Sequence, residues 1–178
     1  MKKLTYIDDN LLLNQTAEVC LHSCNCQNVF GSGIARSIRE MYPEAYRADC
    51  IAAKNRANKL GNFSVGEISE ATRKRHGTNI QRIYNLYGQN LGTDYNELGS
   101  RKTNYEALYT AMEKVAKILR SATEGDKQVF DFNREPVVGI PYLMGCGLGK
   151  GNWSIVERLI EVAFDGYEAD VLIVRLEQ

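Results

Sequence analysis

The 178-residue sequence is short of several features that would assign it to a specialised class. It has no net charge, because 22 basic residues balance 22 acidic ones. That balance argues against a groove holding DNA or RNA mainly by neutralising phosphates, and no general nucleic-acid binding is expected. Apolar runs such as Val171-Leu172-Ile173-Val174 are far shorter than the roughly 20 residues of a membrane span, so no membrane partner is expected. The N-terminus, Met1-Lys2-Lys3-Leu4-Thr5-Tyr6-Ile7-Asp8-Asp9, turns acidic where a secretory leader needs an apolar stretch. A cytoplasmic protein is the expectation. Only His22 and His76 accompany the five cysteines, and no Cys-x-x-Cys pair occurs. An odd number of thiols fits a reducing compartment better than a disulfide framework. The spacing of Cys20, Cys24 and Cys26 does not build a structural zinc site, and neither a metal nor a cofactor is expected.

There are only three prolines, no Ser-rich linker and no repeat of fixed period, so no domain boundary shows. Hydrophobic residues make up 44% and charged residues 25%, an ordinary globular mixture. A chain of this length buries roughly 70% of its unfolded surface, enough for one self-sufficient core. One domain spanning residues 1–178 is expected, its oligomeric state open.

The hydrophobic pattern alternates strands with helices. Leu4 to Ile7 reads as a strand, and Val19-Cys20-Leu21-His22-Ser23 as a second. Gly31 to Tyr42 carries Ile34, Ile38 and Met41 on one helical face. Pro43 opens another helix, through Tyr46, Cys50, Ile51 and Ala53. Phe63 to Thr72 alternates as a strand, Arg73 to Asn79 reads as a solvated hairpin turn, and Ile80 to Leu86 returns as a strand. A loop from Gly88 to Gly99 leads to a helix over Asn104–Leu119, striped by Leu108, Met112, Val115 and Leu119. Val137 to Leu143 is a strand, Gly145 to Gly151 a glycine-rich loop, Trp153 to Phe164 a helix and Asp170 to Leu176 the closing strand. Two strand–glycine-loop–helix passages in such a chain predict an α/β three-layer sandwich on a mostly parallel or mixed sheet. The ligand belongs beyond the carboxyl ends of the strands.

In the first of those passages, Asn25-Cys26-Gln27-Asn28-Val29-Phe30 leads to Gly31-Ser32-Gly33-Ile34-Ala35. Glycines let the backbone approach an anion, and free N–H groups at a helix start favour it. The alternative is that Gly31 and Gly33 only make a tight turn. In the second, Gly145-Cys146-Gly147-Leu148-Gly149-Lys150-Gly151 resembles a nucleotide phosphate loop superficially. Gly145 and Lys150 are one position too close, and no hydroxyl follows for magnesium. Two such loops on one sheet edge suggest a pyrophosphate held between them. His22, at a strand end before the first loop, is either a satisfied structural residue or a catalyst. Cys24 and Cys26 lack a nearby cation to lower their pKa and read as small buried hydrophobes. Tyr84, Tyr87 and Tyr95 either stack on a base or belong to the core.

Taken together, these loops resemble the macro domain family over nearly the whole chain, from Ile7-Asp8-Asp9-Asn10-Leu11-Leu12 to Leu172-Ile173-Val174-Arg175-Leu176. The resemblance runs through Leu21-His22-Ser23-Cys24-Asn25-Cys26, Gly31-Ser32-Gly33-Ile34-Ala35 and Tyr42-Pro43-Glu44-Ala45. It continues through Ile83-Tyr84-Asn85-Leu86-Tyr87-Gly88-Gln89, Asn104-Tyr105-Glu106-Ala107-Leu108 and Ile140-Pro141-Tyr142-Leu143-Met144-Gly145-Cys146-Gly147-Leu148. It is strongest to the branch of ADP-ribose 1″-phosphate phosphatases, including small bacteriophage members, whose location would be the host cytoplasm.

The resemblance implies a three-layer α/β/α macro domain with a central mixed sheet, and ADP-ribose or ADP-ribose 1″-phosphate as ligand. Asn10, with Asp9 beside it and the Leu11 backbone following, falls where an Asp usually binds the adenine amine. Asn25 matches the distal-ribose ligand. Gly31, Ser32, Gly33 and Ile34 match the first phosphate loop, and Gly145, Cys146, Gly147, Leu148 and Gly149 the second. Arg175 falls near an aromatic that stacks on adenine, and is either a stacking cation or a surface residue at an edge strand. His22 matches the histidine of phosphate removal, acting on phosphorus or on water, and by sequence organisation Asp94, in the loop after Gln89, is its nearest carboxylate partner. Related enzymes that strip ADP-ribose from protein use a Lys and an Asp. That Asp would fall at Gly149, and no Lys directly follows Leu86-Tyr87-Gly88-Gln89. The implied function is a phosphatase releasing ADP-ribose. A non-catalytic reader of ADP-ribose is the first alternative, and a hydrolase of ADP-ribosylated macromolecules the second.

Overall fold

The computed structural model describes residues 1–52, 59–95, 100–121 and 134–176. Within them a six-stranded sheet forms from β1 (Thr5–Asp8), β2 (Val19–Asn25), β3 (Phe63–Glu67), β4 (Arg82–Gln89), β5 (Val138–Pro141) and β6 (Val171–Arg175). The strand order is β1-β6-β5-β2-β4-β3. Every pairing is parallel except β3 with β4, so the sheet is mixed.

The helices are α1 (Gly33–Met41), α2 (Pro43–Ala52), α3 (Glu70–His76), α4 (Tyr105–Ser121) and α5 (Trp153–Ala163). On one face of the sheet, Leu108, Met112, Val115 and Leu119 of α4 join Val156 and Ile160 of α5 against Leu21, Leu86 and Ile140. On the other, Ile38 and Tyr42 pack with Ala45 of α2 against Cys20, Ile83 and Val174. The result is the expected α/β/α sandwich. With both faces covered, β2 and β4 read as nearly continuous apolar runs rather than alternating ones.

Two local expectations change. Residues 73–79 are not a hairpin turn, because α3 runs through Arg73–His76. Ser69 Oγ accepts the Thr72 N–H at its start, Glu70 occupies its first turn, and basic side chains fill its last. Gly77 ends it in the left-handed region at φ 63°. The strand expected over Phe63–Thr72 therefore stops at Glu67. The Ala53 end of the second helix and residues 96–99 of the long loop lie outside the described residues. No helix among the described residues is long and apolar enough to cross a membrane.

The chain winds outward in opposite senses on the two sides of the β5–β2 boundary, toward β6 and β1 on one side and toward β4 and β3 on the other. These two strands pair only at Val19–Val138 and Cys20–Gly139. Beyond that register no β2–β5 pair remains, and the connections to α1 and α5 leave from this carboxyl-end crevice, the position where open α/β sheets place ligands.

Candidate functional site

A cleft of about 710 Å³ opens at this boundary, bounded by the end of β2, the start of α1 and residues 141–149. Its volume lies in the range of small-molecule and cofactor sites. Ser32 stands in extended conformation before α1, and Gly33 follows at φ 56°, a left-handed value that a β-branched residue rarely adopts. A Cβ on Gly33 would meet nothing within 4 Å, so this residue borders open space. The amides of Gly33, Ile34 and Ala35 open the helix with no preceding carbonyl to bind.

The facing loop is tied down from behind. Thr103 Oγ1 donates to the Gly145 carbonyl at 2.6 Å, and the amides of Lys102 and Thr103 both donate to the Gly149 carbonyl. Gly145 sits at φ 73°. A Cβ on Gly149 would lie 2.3 Å from Thr103 Oγ1 and 2.6 Å from Gln89 Nε2, whereas one on Gly147 would meet nothing within 4 Å. Within this rigid frame the amides of Gly147, Leu148 and Gly149 donate to no carbonyl among the described residues. Leu148 itself is 78% exposed.

Of the expected ligand residues, Asn25, Ser32, Gly33, Ile34, Gly145, Gly147, Leu148 and Gly149 line the cleft together. The Asn25 side chain is committed to its own loop, accepting from the amides of Gln27 and Val29 and donating to the Val29 carbonyl. Gly31 stands outside the cleft wall, and so does Cys146, whose thiol turns to the Met144 carbonyl.

Asp9, Asn10, Leu11 and Arg175 lie at the carboxyl ends of β1 and β6 and are not among the wall residues. Asp9 accepts from the Asn10 amide and from Asn14 Nδ2, Asn10 Oδ1 caps a single 3₁₀ turn at Leu11–Leu13, and Leu11 is buried. Arg175 pairs with Asp8 at 3.0 Å and lies over the Tyr6 ring. It is not at an edge strand, because β6 runs between β1 and β5. Burial, then a hydrogen bond to Glu157, pushes the Tyr6 phenol up to about 12.

The two expected catalytic residues are not brought together. Asp94 pairs with Lys102 at 2.5 Å. His22 is completely buried and is not part of the cleft wall. Its Nε2 lies 2.6 Å from Asn85 Oδ1. Asn85 Nδ2 donates to the Ala45 carbonyl and to Ser64 Oγ, so its oxygen faces the imidazole and Nε2 carries the proton. The Cys24 thiol lies against the ring, 3.4 Å from Nε2 and 3.6 Å from Nδ1. Burial, working against the bond to Asn85 and the charge of Asp49, lowers the His22 pKa to about 4. Burial also raises the Cys24 thiol well above its usual value, so neither group is ionised near neutrality.

These contacts extend inward as one chain of donors. Ser64 Oγ bonds Tyr87 Oη at 2.6 Å, and Tyr87 Oη donates to Asp49 Oδ1 at 2.7 Å. Lys59 Nζ, almost fully buried, meets the same oxygen at 2.7 Å. Tyr84 and Tyr87 are core residues, which removes them as base-stacking candidates.

Sequence reasoning missed Ser23, Cys24, Val29 and Ala35, and Gln89, Leu91 and residues 141–144, as parts of the cleft wall. Position at the ends of β2, β4 and β5 is the signal that would have found most of them. Among the described lining residues there is no carboxylate, imidazole, lysine or arginine.

No protein-family model matches the chain. It is 28% identical over 142 residues to an uncharacterised 17.5 kDa protein of the tk-vs intergenic region of Enterobacteria phage T4, a match covering 79% of this chain and 76% of that one. A shorter match, 35% over 63 residues, links it to an ADP-ribose 1″-phosphate phosphatase of Saccharomyces cerevisiae and covers 34% of this chain and 36% of the enzyme. Among solved structures, the macrodomain of Mycobacterium tuberculosis DarG aligns with a TM-score of 0.69 at 20% identity, covering 99% of both chains. Thermosipho africanus DarTG in complex with ADP-ribose aligns with a TM-score of 0.65 at 18% identity, over 92% of this chain and 39% of that one. The layers, the mixed sheet and this likeness establish that the chain has the macrodomain fold.

Proposed function

We propose that the cleft binds ADP-ribose, with the pyrophosphate between the amides of Ser32–Ile34 and those of Gly145–Gly149. The observation that carries this reading is the pair of facing loops in which the amides of Gly33 and Ile34, and of Gly147, Leu148 and Gly149, donate to no carbonyl among the described residues, on a wall whose described residues carry no charged side chain. Backbone N–H groups and the start of α1 supply the positive potential an anion requires. Asn25 borders the distal ribose, and Asp9, Asn10, Leu11 and Arg175 stand on the side assigned to adenine. The ADP-ribose complex of the similarly folded DarTG protein supports the same ligand class. Capture fits the wall better than turnover, since the described lining residues include no carboxylate or imidazole for acid–base chemistry.

A second reading, phosphatase action on ADP-ribose 1″-phosphate, is favoured by the local match to the yeast phosphatase. His22 would then act from behind Cys24, the one cleft-wall residue it touches through a ring nitrogen. Removal of ADP-ribose from macromolecules by a Lys–Asp pair gains no support, because a side chain at Gly149 collides with Thr103 and Gln89.

Calorimetric titration with ADP-ribose, run beside phosphate release from ADP-ribose 1″-phosphate, separates the readings. One-to-one binding without added metal and without phosphate release is the expected outcome. Release that disappears in His22→Ala while ADP-ribose still binds would establish the second reading, and absence of binding would overturn the first.

A further inference from the structure

Resting on the ADP-ribose reading, we infer that the Ser23 hydroxyl is a ligand-binding group of the cleft, donating to an oxygen of the bound molecule beneath the second glycine loop. Ser23 pairs with Leu86 in the register between β2 and β4, before that register shifts at Cys24–Asn25. By strand alternation its side chain leaves on the face of Leu21 and Leu86, the side to which Met144 belongs. His22 and Cys24 leave on the opposite face, so Ser23 serves the 143–149 side of the cleft while α1 closes the other.

Ser23 lines the cleft, yet its Oγ is buried and makes no hydrogen bond. An unmade buried hydroxyl bond is unfavourable, and no group among the described residues makes one with it. A serine side chain turns about a single bond, which carries Oγ from the wall toward the cleft without moving the strand. A phosphate or hydroxyl oxygen arriving there would supply the missing partner and relieve the unfavourable state of the empty cleft. Binding would therefore gain from a defect of the free protein, and removal of the hydroxyl should act on stability and affinity with opposite signs.

The test is Ser23→Ala, measured for thermal unfolding without ligand and for affinity toward ADP-ribose and ADP. The expected result is an unfolding midpoint equal to or above wild type together with a roughly fivefold to tenfold weaker affinity for ADP-ribose. The same loss with ADP assigns the acceptor to the pyrophosphate, and a loss confined to ADP-ribose assigns it to the distal ribose. Unchanged affinity for both in a protein that still binds ADP-ribose would overturn the role of Ser23 and leave the ligand reading intact. Failure of the wild-type protein to bind ADP-ribose would instead overturn that reading, and the role of Ser23 with it.

Discussion

His22 on β2 and Asn85 on β4 face each other in register, with Nε2 of the imidazole 2.6 Å from the amide oxygen. Burial holds the ring neutral against that bond, and the ring lies behind Cys24 rather than in the cleft wall. A pH dependence follows. The His22 pKa falls from 6.5 to about 4 on folding, chiefly through burial. Its contribution to stability is complete above pH 6.5 and is lost as pH drops toward 4, because the unfolded chain takes up the proton first. Between pH 6.5 and 5, where carboxylates stay ionised, wild type should lose roughly 2 kcal/mol more than His22→Gln. Urea unfolding at the two pH values checks it, and equal losses would contradict a neutral buried imidazole.

Gly33 tests the first loop. At φ 56° and facing open space, it should tolerate replacement only with backbone strain of about 1–2 kcal/mol. Gly33→Val should still fold but bind no measurable ADP-ribose, since its branches would occupy the proposed anion path. Calorimetry on the folded variant decides it, and wild-type affinity would remove this loop from the site.

The second loop offers a paired contrast. Gly149→Ala should disturb the Thr103–Gly145 bond, lowering both the melting temperature and ADP-ribose affinity, because its methyl collides with Thr103 and Gln89. Gly147→Ala should leave melting unchanged, since nothing lies within 4 Å of the new methyl, and should weaken only binding. Parallel melting and titration of the two proteins would expose any reversal of that order.

Lys59 and Asp49 form a buried ion pair away from the cleft wall. Lys59→Met leaves the Asp49 carboxylate in the core with Tyr87 as its one remaining partner among the described residues, and should cost about 3–5 kcal/mol. Adding Asp49→Leu should recover part of that loss. Chemical denaturation of both variants tests the coupling, and additive losses would count against it.

The sandwich was legible because glycine loops and apolar runs follow the chain in order, and the stripe on α4 appeared where the periodicity placed it. Residues 73–79 were misread because their charge suggested a solvated turn. The Ser69 cap, Glu70, the basic last turn and Gly77 together spell a short helix whose dipole those charges complement. His22 was ambiguous for a different reason. In a strand covered on both faces, the sequence does not show which side chains reach the crevice, and its partner Asn85 comes from a register no local pattern encodes. The Lys59–Asp49 pair likewise depends on how α2 meets β4.

The pairing of β1 with β6 has a consequence for how the molecule comes into being. Among the described residues Thr5–Asp8 pairs only with Val171–Arg175, and Met1 and Lys2 are fastened to the segment around Asp165 and Tyr167. Contacts of such long sequence separation slow folding, since the intervening chain must be closed before they form. On the ribosome β1 waits, unpaired, for a strand made more than 160 residues later, and β5 lacks its outer neighbour until the same moment. The wall carrying the second glycine loop is thus among the last parts to become rigid during synthesis.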